Sequence, residues 1–530
     1  MNAAALLVRI LSSNFESLVG RNMLNLRISF AFVIGFCLTS PALAQVTPGY
    51  KTNIPKQIMT PEKVQTSIGT FEFFDGLPDE ATVKKVYDNL DRMRATEVFL
   101  NLVPMASIEG LRLGMESVGV DAANEILLFD GLMDSKSLFL TGNTDTIYAI
   151  GLLDLERDGP TVVEIPAGAA PGTVNDAFFR FVVDMGSPGP DRGKGGKYLI
   201  LPPGYDGPIP DGYFVAKSPS YINWLPLRGF LVDGKTDAAF AMWTNNLKIY
   251  PLSEKDNPPK LEVVSGTGKI FNTIHANDSL FYEEVNDVIQ REPLEFIDDE
   301  LRGDLASIGI IKGQPFKPDH RMKAILDDAA AIANATARAL SFRSRSDTIG
   351  FYGKDSAWFT AFDGGSYEWL KDGGKGGRNK DARTLFFYIA TVNTPAMVLE
   401  MVGVGSQYAL AATDSKGQYL DGAKNYKLTI PGDVPAKDFW SLVVYDPQTR
   451  SMLQTDQPYP SKNNERNRDL QKNADGSTTI WFGPKVRTGK ETNWIQTVPG
   501  KGWFGCLRLY GPLKPWFDKT WRPGEIERID

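Results

Sequence analysis

The stretch "TGNTDTIYAIGLLDLERDGP", Thr141 to Pro160, sets a polar knot directly before an apolar run. Asn143, Thr144, Asp145 and Thr146 bring an amide, a carboxylate and two hydroxyls to the start of what reads as a β-strand, which then ends at an Asp-Gly-Pro turn. Short polar side chains before a strand bond their own backbone in turns, and they also form ligand sites. Both readings stand for this segment on sequence alone.

Strand patterns continue on its C-terminal side. In "AFFRFVVDM", Ala177 to Met185, Phe179, Phe181 and Val183 alternate with Phe178, Arg180, Val182 and Asp184. "KYLILPPGY" and "GYFVAKSP" repeat the rhythm, and the Gly-rich "GSPGPDRGKGGK" between strands, Gly186 to Lys197, reads as a mobile surface loop. It lacks the context of a phosphate-binding loop. Strands return in "NYKLTI", "FWSLVVYD", "STTIWFG" and "GCLRLYGP".

Two regions read as helix. Residues 79–118 carry Val83, Val86, Tyr87, Leu90 and Met93 at spacings of three and four, with Pro104 expected to end or kink the helix. Residues 283–345 are the second, with a stripe through Met322, Ile325, Ala329, Ile332, Thr336 and Leu340. The expected fold is therefore mainly β with helical segments (α+β), as two β-sandwich or jelly-roll-like domains joined by a helical linker. The divisions are 1–44 signal peptide, 45–78 N-terminal segment, 79–282 helical lead-in with the first β domain, 283–345 linker, and 346–530 second β domain.

The signal reading rests on "MLNLRISFAFVIGFCLTSPALAQ", with Met23 as the expected start and cleavage after Ala44. It predicts a periplasmic or secreted protein. No later segment reads as apolar enough to span a membrane. The net charge of −7 over 530 residues becomes −9 once the three Arg and one Glu of residues 1–44 are removed, and it gives no basic footprint for nucleic acid. Of the two Cys, Cys37 leaves with the leader and Cys506 remains alone.

With His275 and His320 as the only imidazoles, and without zinc, nucleophile-elbow or dinucleotide motifs, the available chemistry is carboxylate, phenol, guanidinium and amide. Asp145 and Asp184 are the acid/base candidates, joined by Tyr148 as a third catalytic candidate. Asn143, Thr146, Arg180, Trp440 and Arg508 are candidate ligand contacts. Arg180 and Asp184, four apart, could equally pair with each other, and Trp440 could be core instead of a sugar platform. Asn, Asp and Thr oxygens are of the type that binds calcium, but this segment supplies too few to define a site, so neither cofactor nor metal is assigned.

The segments "NTDTIYAIGLLDLERDGPTVVEIP", "FRFVVDM", "GKYLILPPGYDGPIPDGY" and "RGFLVDGKTDAAFA" resemble a bacterial family called domain of unknown function 1254. "NYKLTIPGDVPAKDFWSLVVYDPQTRSML", "DGSTTIWFGP", "NWIQTVPGKGWFGCLRLYGP" and "WRPGEIERI" resemble its usual partner, domain of unknown function 1214. The resemblance implies an exported, β-rich homo-oligomer and carries no agreed catalytic residues. Two functions follow as expectations. One is an enzyme, a hydrolase or lyase, acting on a small or sugar-like molecule by carboxylate acid/base chemistry. The other is a non-catalytic oligomeric ligand-binding or structural protein of the envelope.

Overall fold

Four sheets of alternating apolar strands form two β domains, each with two sheets facing one another across a core. The computed structural model describes residues 51–529, so the leader reading lies outside the described residues. Residues 51–82 form a unit of their own, a small antiparallel meander of Lys63–Thr66, Gly69–Phe74 and Leu77–Pro78.

In the first β domain, a six-stranded sheet runs in the order Glu262–Ser265, Glu125–Leu128, Thr146–Asp154, Ile222–Phe230, Gly172–Asp176, Phe181–Met185. A four-stranded sheet of Phe214–Lys217, Gly196–Leu201, Thr161–Ile165 and Lys248–Pro251 covers one face of it. Ile147, Ala149, Leu225 and Leu227 from the larger sheet meet Val163, Ile165, Ile200 and Ile249 from the smaller. The second domain repeats the plan. The sheet Ser406–Ala411, Phe504–Pro512, Ala436–Tyr445, Ser461–Asn463 faces the sheet Trp494–Gln496, Thr478–Gly483, Tyr426–Ile430, Glu527–Arg528. Leu442, Leu507 and Leu509 pack there against Leu428, Ile480 and Phe482.

The outer faces of the two larger sheets are apolar as well, since their central strands are buried on both sides. Tyr148, Ile150 and Trp224 of the first sheet and Val443, Phe504 and Cys506 of the second enter one shared cluster with the helices Glu80–Glu116, Leu280–Arg291, His320–Phe342 and Lys380–Ile389. The helices are thus a common layer under both domains, which is more than the linker expected for 283–345.

Four local expectations change. The first helix does not stop at Pro104 but runs 37 residues. Proline removes the N–H that would bond the carbonyl four residues earlier, and the Thr384 hydroxyl donates to that Leu100 carbonyl at 2.8 Å instead. This helix is also long and apolar enough to cross a membrane, contrary to the sequence reading, yet 83% of its apolar window is buried by protein. Gly110 lets the chain lie close against it, because a Cβ there would sit 2.8 Å from the Thr273 carbonyl oxygen.

In His320–Phe342 the buried face runs through Ala329, Ala330, Ala333 and Ala337, while Ile332 is exposed. Small residues permit the close approach of Lys380–Ile389, and that packing outweighs the larger aliphatic stripe. The Gly186–Lys197 loop is not loose. Buried Asp191 accepts the N–H groups of Gly186 at 2.8 Å and of Gly193 and Gly195 at 3.1 Å.

Candidate anion site at the seam of the two domains

The polar knot is a turn and a fastener at once. Asn143 Oδ1 accepts the backbone N–H of Asp145 at 2.9 Å and of Thr146 at 3.1 Å, with the Thr146 hydroxyl at 3.2 Å. Its Nδ2 donates to the Tyr148 hydroxyl at 2.7 Å, which fixes that ring. Asp145 then reaches out of its own domain. Its Oδ1 accepts Asn463 Nδ2 at 3.0 Å, and its Oδ2 accepts the hydroxyls of Ser441 and, at 3.1 Å, Tyr510. Thr144 meets the Ser461 hydroxyl at 2.6 Å, and Arg466 donates to that same hydroxyl at 2.7 Å. Asn143, Thr144, Asp145 and Thr146 are fully buried.

Two cavities lie beside this fastener, and Asp145 lines neither. The first, of about 30 Å³, is bordered by Tyr148, Arg228, Thr391, Tyr408, Cys506 and Arg508. The second, of about 20 Å³, is bordered by Thr173, Asp184, Arg228, Thr394 and Ser406. Arg228 and Met397 are shared walls. A water needs roughly 10–15 Å³ by this measure, so the first cavity holds about two or three water-sized groups and the second about one or two.

Strand register explains who lines the walls. Arg228 pairs directly with Tyr148 across neighbouring strands, and its guanidinium lies 5.5 Å from the Tyr148 ring centre. Arg508 pairs with Tyr408 on one side and Ser441 on the other. Its Nη2 donates to the Thr141 carbonyl and, at 2.7 Å, to the Tyr445 hydroxyl, while its Nε and the Tyr408 hydroxyl have no partner. Both arginines are buried, and neither has an ion pair with an Asp or Glu among the described residues. Unpaired buried charge is costly. The arrangement is therefore short of an anion.

Asp184 stands at the far end of the second cavity. Its Oδ2 accepts the Thr394 hydroxyl at 2.8 Å, and its Oδ1 has no partner. Burial, only partly offset by that hydroxyl, pushes its carboxyl up to about 6. A carboxyl tuned so close to neutrality can both give and take a proton near physiological pH.

The other candidates sit elsewhere. Arg180 pairs with Asp176 at 2.5 Å and lies over Phe296, not with Asp184. Phe179 has a positive φ of 54°, so the strand begins at Phe181 and the expected alternation is broken. Trp440 is only 6% exposed and belongs to the core between the sheets of the second domain, although it edges a surface groove. His275 is buried among Phe99, Phe281 and Tyr388, and burial, helped by Arg450, pulls its pKa down to about 3. The Asn143 and Asp145 oxygens are taken by N–H and O–H donors, which leaves them unavailable to a cation such as calcium. Arg228 was missed by the sequence reading. Its signal is a lone cation in the apolar run "NWLPLRGF", on a nine-residue strand buried along nearly its whole length.

Residues 123–251 match the model for a protein of unknown function, DUF1254, and residues 405–514 match that for a protein of unknown function, DUF1214. The chain pairs these two domains. The seam cavities draw on both matched regions, with Tyr148, Asp184 and Arg228 from the DUF1254 match and Tyr408 and Arg508 from the DUF1214 match. The crystal structure of the VPA0106 protein from Vibrio parahaemolyticus is similar, with 19% identity, a TM-score of 0.51, and coverage of 83% of this chain and 100% of that one. An uncharacterized protein from Burkholderia cenocepacia aligns at 12% identity and a TM-score of 0.38 over 84% of this chain and 97% of its own. No curated protein matches the chain.

Proposed function

We propose that this is an exported enzyme that binds a small organic anion between its DUF1254 and DUF1214 domains and moves a proton on it with Asp184. The carrying observation is the pair of buried guanidiniums, Arg228 and Arg508, that border one cavity without a carboxylate partner. An incoming carboxylate or similar oxyanion supplies the missing charge, and guanidinium donors suit its geometry. The Arg508 Nε and Tyr408 hydroxyl are unspent donors at that wall. Asp184, across the shared Arg228, is the group that takes or returns the proton. The cavities admit a group the size of a carboxylate rather than a sugar ring, so a small acid is the substrate class. Export follows from the leader pattern of residues 23–44.

The test is thermal unfolding of the full chain with acetate, malonate, phosphate or sulfate against equal chloride, followed by NMR detection of solvent deuterium entering the anion that binds. We expect one carboxylate to raise the unfolding temperature by several degrees and the rise to vanish in Arg228→Met. Deuterium incorporation should be lost in Asp184→Asn. Equal stabilisation of wild type and Arg228→Met would refute the anion site. Stabilisation without exchange would leave a binding protein of the envelope.

A further inference from the structure

A second pocket opens where the C-terminal turn of His320–Phe342 crosses the second β domain. It has a volume of about 440 Å³ and is walled by Ala339, Phe342, Tyr419, Leu420, Trp503 and Phe504. That volume lies within the range of small-molecule sites, which are mostly apolar with a few fixed polar groups. Here the fixed groups are two guanidiniums. Arg338 donates to the carbonyls of Pro447 at 2.9 Å and Gln448 at 3.1 Å, and Arg343 donates to the Gly417 carbonyl at 3.0 Å while lying 4.4 Å from the Tyr419 ring centre. Neither has an ion pair with an Asp or Glu among the described residues. Cation, aromatic wall and empty apolar volume therefore occur together.

We propose that this pocket binds an amphipathic carboxylic acid, its aryl or alkyl body against Phe342, Trp503 and Phe504 and its carboxylate against Arg338 and Arg343. Charge complementarity selects the acid over a neutral molecule of the same shape. The site is separate from the seam. No residue lines both: Phe504 borders this pocket, while Cys506, two residues on along the same strand face and about 7 Å away at ~3.4 Å per residue, borders the seam cavity.

The experiment is calorimetric titration of the full chain with 3-phenylpropionate and with 3-phenylpropan-1-ol. We expect the acid to bind at least ten times more tightly than the alcohol. Arg343→Gln should reduce that ratio several-fold, and Arg338→Gln/Arg343→Gln should remove it. Ala339→Trp, a change at an exposed helix position that fills the pocket, should abolish binding of both with the unfolding temperature retained. Arg228→Met should leave both affinities unchanged, which separates this site from the seam. Failure of the acid to bind, equal affinities for acid and alcohol, or binding that survives Ala339→Trp would overturn the proposal.

Discussion

Replacing Asp184 by Asn should make the protein more stable at alkaline pH and leave it nearly unchanged in acid. The native carboxyl titrates at about 6, against an ordinary value of 3.8. Between those values the folded chain keeps a proton that the unfolded chain releases, so stability falls as pH rises through that window. At about 1.36 kcal/mol per pH unit, the loss above pH 6 comes to about 3 kcal/mol. Asn has the same shape and does not ionise, and its carbonyl oxygen can still accept the Thr394 hydroxyl. Thermal and urea unfolding at pH 4.5 and pH 8 test this directly. The wild type should lose ground to Asp184→Asn by roughly 2 kcal/mol between the two, about 1 of the ~3 kcal/mol being lost already by pH 4.5, while the variant loses deuterium exchange. A variant less stable than wild type at pH 8, or one whose gain is equal at both pH values, refutes the argument that burial strains this carboxyl. A gain in stability joined to a loss of activity is the pattern of a residue kept for its chemistry.

Asp145→Ala strands the donors of Ser441, Asn463 and Tyr510 in a buried seam and should cost about 3–5 kcal/mol, read as a large fall in unfolding temperature. Asp145→Asn should fall in between, because it keeps an acceptor; an unaltered melt in both would show that the seam does not depend on this contact. His275→Phe should flatten the acid limb of the stability curve. The native imidazole titrates at about 3 against 6.5, so the unfolded state gains a proton the fold refuses as pH falls through 6.5, at up to about 5 kcal/mol. Unfolding at pH 4 and 7.5 checks this, with a parallel fall in wild type and variant as the contrary result. Thr384→Val removes the hydroxyl that satisfies Leu100 beneath Pro104 and should cost roughly 1–3 kcal/mol, measurable as a lower urea midpoint.

Strands such as Thr146–Asp154 and Phe504–Pro512 are visible in sequence as short, largely apolar runs bounded by turn residues, a signal that needs only neighbours to be seen. So is the pairing of two β domains. The stripe of the helix ending at Phe342 holds at Ile325, Ala329 and Leu340 but fails at Ile332, because the middle of the helix meets its neighbours through Ala330, Ala333 and Ala337, a preference written in other segments. Tyr148, Asp184 and Arg508 were picked out and do border the seam cavities. Asp145 is conspicuous in the sequence, but its partners across the seam, Ser441, Asn463 and Tyr510, lie 296, 318 and 365 residues further on, beyond the reach of any local pattern. Arg228 hid inside an apolar strand. Whether a lone guanidinium there meets a carboxylate, a carbonyl or a void is decided by elements that fold over it.

The link between Asp145 and Tyr510 spans 365 positions of the chain. The acidic turn near the front of the protein is therefore complete only when almost the last strand has been laid down. Closing so long a loop is slow, and until it closes the outer sheet face holding Tyr148, Ile150 and Trp224 stays open to water. A fragment ending between the domains would keep that greasy face and an unquenched carboxylate. Each module therefore completes the other, and neither half of the seam is satisfied alone.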